Sequence, residues 1–111
     1  MIEKIILDYL NEQLEDPVLM EKPSPPPDRY YLLEKVGSGL LDTVYQAGLV
    51  LKSNALSMYE AAQMNELGKA AMLAAISLPE VSKVDLNTDH NDTDMESKGY
   101  RYRALFDITH Y

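Results

Sequence analysis

Residues 2–15 carry apolar side chains at helical spacing: Ile2, Ile5, Ile6, Tyr9, Leu10 and Leu14 fall on one side, and Glu3, Lys4, Asp8, Asn11, Glu12 and Glu15 on the other. The pattern predicts an amphipathic helix. Asp16-Pro17 ends it, because proline cannot donate to the helical ladder and pushes the residue before it out of the α region. A short strand from Val18 to Glu21 is predicted next. Lys22-Pro23-Ser24-Pro25-Pro26-Pro27-Asp28 then favours extended, polyproline-like backbone and cannot form a central strand. Arg29 to Val36 is rich in aromatic and aliphatic strand formers, and Gly37-Ser38-Gly39 reads as the turn that ends it. A further strand is predicted from about Thr43 to Asn54, with Gly48 marking a bulge or a crowded contact inside it.

The second helix has the clearest start in the chain. Ser57-Met58-Tyr59-Glu60 fits a capping box, in which serine and glutamate satisfy exposed amides of the first turn. The helix is expected to run to about Ser77, before Leu78-Pro79. It is apolar on two sides: Met58, Ala61, Ala62, Met72 and Ile76 form one stripe, and Met64, Leu67, Ala71, Ala74 and Leu78 a second. A helix covered by a sheet needs only one stripe, so the second is expected to meet the first helix or another subunit. Gly68 and the alanines around it would admit a neighbouring backbone closely. Strands from Val81 to Leu86 and from Gly99 to His110 complete the chain, separated by a polar, mainly acidic loop from Asn87 to Lys98. The order α-β-β-β-α-β-β defines an α+β fold, and 111 residues suit one domain better than two marginal cores.

Charge and composition narrow the function. With 18 acidic against 10 basic residues, the net charge of −8 opposes binding to nucleic acid or to an anionic membrane leaflet. No apolar stretch approaches the roughly 18–20 residues that span a bilayer. The charged opening segment, Met1 to Asp8, lacks the form of a secretory leader. The chain has no cysteine, which excludes disulfides, thiolate nucleophiles and cysteine-bound zinc, and makes an intracellular setting the default.

Candidate chemistry is sparse. Asp85, Asn87, Asp89 and Glu96 occupy the first, third, fifth and twelfth positions of a calcium-loop pattern that needs oxygen ligands there. His90 stands where that loop needs glycine, and strands are expected to flank it, so a solvated hairpin loop is the better reading. His90 and His110 have no second ligand or nucleophile at useful spacing, and Gly-Ser-Gly lacks the rest of a phosphate loop. No cofactor and no catalytic residue is expected. In Tyr100-Arg101-Tyr102-Arg103, period two puts both tyrosines on one face and both arginines on the other, free to meet acidic groups of this chain or of a neighbour.

The segments Met1 to Leu10, Val18-Leu19-Met20-Glu21, Tyr31 to Lys35, Ser57 to Ala62 and Tyr100 to Tyr111 together resemble the tail terminator, or tail-to-head joining, proteins of long-tailed phages and prophages of Gram-positive bacteria. The similarity is global and rests on no short diagnostic motif. It implies a mainly antiparallel sheet flanked by helices, without enzymatic activity. It also implies assembly as a ring, a hexamer, at the head-proximal end of the tail, formed in the host cytoplasm. Such a ring ends polymerisation of the tail tube protein and offers a surface to the head-tail connector protein. On that reading Met64, Leu67, Gly68, Ala71, Arg101 and Arg103 are the candidate oligomer or partner contacts. The alternatives are a head-completion or connector protein of the same particle, or a calcium-binding regulatory domain.

Overall fold

The computed structural model describes residues 1–41, 44–93 and 99–111. Helix α1 spans Ile2–Gln13 and is followed by strand β1, Val18–Leu19. Strands β2, Tyr30–Leu41, and β3, Val44–Ala55, pair as antiparallel neighbours. Helix α2, Met58–Leu73, tightens into a 3-10 turn over Ala74–Ser77, and strands β4, Val81–Asn91, and β5, Tyr100–His110, complete the sheet. The sheet order is β1-β2-β3-β5-β4, with β1 parallel to β2 and every other pair antiparallel. The predicted α+β class and element order are those observed.

Local chemistry sets the helix ends. The Glu60 amide donates to Ser57 Oγ at 3.2 Å, and the Ser57 hydroxyl donates to the Glu60 carboxylate at 3.2 Å. After α1, the Asn11 side chain accepts from the Val18 amide at 2.9 Å and donates to the Val18 carbonyl at 3.0 Å. One asparagine thus supplies the partners that let β1 begin directly beside the helix.

Both helices lie on one face of the sheet. Ile6 and Leu10 of α1, and Met64 and Met72 of α2, pack in one cluster with Leu33, Leu49, Leu51, Phe106 and Ile108. Each such fully buried side chain contributes about 1.5–3 kcal/mol relative to exposure. The Tyr31 hydroxyl reaches through this layer and donates to the Met64 carbonyl at 2.9 Å. Burial pushes its phenol well above the usual tyrosine range. Among the described residues, no helix lies over the opposite sheet face. There Tyr30 and Leu32 are buried beside Pro26 and Pro27, with which they line a cleft, so the proline run lies against the sheet as well as linking β1 to β2.

Helix α1 and strand β1 each end two residues short of the predicted 2–15 and Val18 to Glu21, and two larger differences follow. The glycines at 37 and 39 do not turn the chain: β2 continues through them to Leu41, with Gly37 opposite Gly48 and a register shift between Lys35 and Gly37. The crowding expected at Gly48 is present, because a Cβ there would lie 3.3 Å from Val36 Cγ2. The polar stretch from Asn87 to Asn91, predicted as loop, is the second half of β4. An edge strand needs only one neighbour, and the long strand β5, anchored in the core by Ala104, Phe106 and Ile108, provides it, so the backbone ladder overrides weak side-chain propensity.

Candidate functional site

The acidic candidates follow from the register of β4. Asp85 stands opposite Asp107 on the bare face, and each carboxylate has its own relief: Lys83 Nζ at 3.4 Å from Asp85, and the Asn87 amide donating to Asp107 at 2.9 Å. Asp89 lies on the helix face instead, taking hydrogen bonds from Lys69 Nζ at 2.9 Å and from the buried Asn65 amide at 3.1 Å. Asp85, Asn87 and Asp89 are therefore strung along a strand and do not wrap a common centre; Glu96 lies outside the described residues. Among the described residues, no group of three His, Cys, Asp or Glu side chains is placed to hold a metal ion.

The contact between Asp89 and α2 has a pH consequence. The Lys69 hydrogen bond, aided by Asn65 and opposed by partial burial, holds the Asp89 carboxyl below the usual carboxylate range. A depressed folded-state pKa stabilises the fold above the unfolded value of about 3.9, and that contribution fades as pH falls through the folded value. Asp89→Asn is therefore expected to lower the melting temperature at pH 7. The gap to the parent chain should close as melting curves are repeated towards pH 3.

On α2 the buried stripe is Ala61, Met64, Asn65, Gly68 and Met72, which takes members from both predicted stripes. Met64 and Gly68 face this chain's own sheet and are not available to a second subunit. Ala71 meets the first helix, where its carbonyl accepts from the Tyr9 hydroxyl at 2.9 Å. Leu67 alone of these four points outward, 57% exposed. Tyr59, Leu73 and Ile76 along the same helical segment are exposed too, interspersed with the polar Gln63 and Glu66, so α2 and the 3-10 turn after it present several apolar side chains to solvent.

Pleating along β5 puts Arg101 and Arg103 on the bare sheet face and Tyr102 on the other, as the period of two predicts. Arg101 is held within the chain, its guanidinium 3.2 Å from the Asp92 carboxylate. Arg103 has no hydrogen bond or ion pair among the described residues. Its register partners are Lys52 on β3 and His90 on β4, so a row of three nitrogen-bearing side chains crosses the central part of the sheet. Lys52 is balanced by Glu34 at 3.2 Å. Sequence reasoning paired the arginines, gave Lys52 no role and weighed His90 only as a ligand or catalytic candidate, because only strand register brings residues so distant in the chain side by side.

The same face has a depression of about 540 Å³ bordered by Val36, Gly37, Gly48 and Leu105, with Lys83, Asp85 and Asp107 at its rim. Beyond it, the β2–β3 hairpin projects Leu40 and Tyr45 into solvent, the latter stacked on His110 with ring centroids 5.6 Å apart. Among the described residues, no helix is long and apolar enough to cross a membrane. No protein-family model matches this chain, and no curated protein matches it.

Proposed function

We propose that this chain is a structural protein of a phage tail, one that forms a ring capping the tail tube, ends tube polymerisation and joins the tail to the head connector. The observation that carries the reading is the set of apolar side chains, Leu67, Leu73 and Ile76, that α2 and the 3-10 turn after it leave exposed although a buried core cluster lies beneath them. Exposed apolar side chains gathered on one element mark a protein contact more often than a site for small-molecule chemistry. The exposed Leu40 and Tyr45 on the projecting hairpin supply a second contact surface, suited to docking on another ring or tube. The global resemblance of the sequence to tail terminators gives these surfaces their partners: further copies of the chain, the tail tube protein and the connector.

Native mass spectrometry of the full chain over a range of concentrations, with and without purified tail tubes, tests this. The expected result is a closed ring, either free in solution or formed on the tube end. Addition to polymerising tube protein is expected to halt elongation. A chain that stays monomeric under all these conditions and leaves tube growth untouched would refute the proposal. Binding to connector rings without any effect on tubes would instead assign the chain to the head-completion class.

A further inference from the structure

We infer that the bare sheet face is the seat of a second copy of this chain, which docks on it by its helix layer and places the carboxylates at the end of α1 against Arg103, Lys52 and His90. This rests on the ring-forming reading above and specifies which surfaces meet.

The first ground is a charge arrangement that the isolated chain does not need. Lys52 and Arg103 are direct cross-strand partners, and His90 extends their row. Like charges directly opposite one another weaken a sheet. Where the same thing happens with Asp85 and Asp107, Lys83 and Asn87 compensate within the chain. Lys52 has Glu34, but Arg103 has no such partner among the described residues.

The second ground is a complementary excess elsewhere. Glu12, in the last turn of α1, and Glu15, just beyond it, are exposed and have no hydrogen bond or ion pair among the described residues. That turn has no basic residue. Carboxylates at a helix C-terminus sit at the negative end of the helix dipole, so they too are placed at a local cost. Cations brought by another molecule would relieve both.

Position in the fold then decides the geometry. Helix α1 packs on β1 and β2, in the helix layer, whereas Arg103 and His90 lie on the other face towards the β4 edge. Two patches on opposite sides of one molecule cannot share a two-fold interface. They meet only head to tail, the arrangement that closes into a ring when the rotation permits. The apolar surfaces agree with this pairing, because the exposed outer side of α2 belongs to the same layer as Glu12 and Glu15. The depression beside Val36 and Leu105, where Gly37 and Gly48 contribute no side chains, belongs to the same face as Arg103.

The test uses the full chain and three variants: Arg103→Glu, the pair Glu12→Lys with Glu15→Lys, and all three changes together. Circular dichroism melting first establishes that each is folded, with Arg103→Gln as the milder substitute should the reversal impair folding. The readout is the dissociation constant for self-association by light scattering and native mass spectrometry. Each reversal is expected to weaken association by about tenfold or more, with the combined variant restored towards the parent value. Unchanged association in the Arg103 variants, while the parent chain forms rings, would overturn this assignment and leave the ring reading standing. Weakening by single reversals without restoration in combination would mean that the α1 carboxylates and Arg103 do not meet each other, and would equally overturn this pairing of surfaces. A parent chain that never self-associates, even on tubes, removes both.

Discussion

Phe106→Ala is expected to lower the unfolding free energy by about 3–5 kcal/mol, the range found when a large aromatic is truncated inside a packed core. Phe106 is fully buried on β5, with Leu49 of β3 on one side and Leu86 of β4 on the other. Every long strand except β2 therefore borders this position. The surrounding ladder is fixed by backbone hydrogen bonds and cannot collapse freely into the space, so a cavity term adds to the lost burial. For a chain of this length the melting temperature should fall by more than about 10 °C. The control is Leu105→Ala, one residue away but on the bare face and only partly buried, which is expected to cost about 1 kcal/mol. Comparable losses for both would mean that the face without helices is packed as tightly around Leu105 as the helix face is around Phe106, contrary to the partial exposure of Leu105.

That contrast between adjacent residues is legible in the sequence itself, because period two along β5 assigns alternate residues to opposite faces whatever the register. The same local logic predicts α1 from its apolar stripe and the start of α2 from Ser57 and Glu60. Features that depend on pairing between distant strands are not legible in this way. Gly37-Ser38-Gly39 reads as a turn because glycine and serine favour turns, yet an antiparallel partner from Gln46 to Gly48 holds the segment extended. Asn87 to Asn91 reads as loop because its residues are polar, but β5 templates it. The candidate surface divides similarly. Arg101 and Arg103 are identifiable as a pair on one face, but their separation into one paired with Asp92 and one with no ion pair among the described residues depends on the register, which also sets Lys52 and His90 beside Arg103. The two apolar stripes of α2 pose a related problem. A composition rich in Ala and Met supports several buried faces, and tertiary packing selects one that cuts across both.

Gly68 allows a direct decision between a core role and a contact role on that helix. A Cβ added there would lie 2.8 Å from Leu51 Cδ2 and 3.1 Å from Tyr31 Cε1, both belonging to buried side chains. The glycine is thus what lets α2 settle onto β2 and β3, and the Tyr31 hydroxyl bond to Met64 depends on that approach. Alanine at position 68 would gain up to about 1 kcal/mol of helix propensity. Overpacking typically costs about 1–3 kcal/mol, so Gly68→Ala is expected to be destabilised by about 1 kcal/mol net. Gly68→Leu, which no small shift of Leu51 can absorb, is expected to lose about 3 kcal/mol or more. Measured by urea unfolding at dilutions where the chain is monomeric, these losses separate the two roles. A glycine reserved for contact with another subunit would leave monomer stability unchanged and alter only assembly. A double-mutant cycle strengthens the distinction: Leu51→Val opens space at the point where the added methyl collides, so the Gly68→Ala and Leu51→Val costs should sum to more than the double variant shows. Strict additivity of the two changes would mean that the methyl and the leucine do not meet, and that α2 does not lie on the sheet as closely as these distances require.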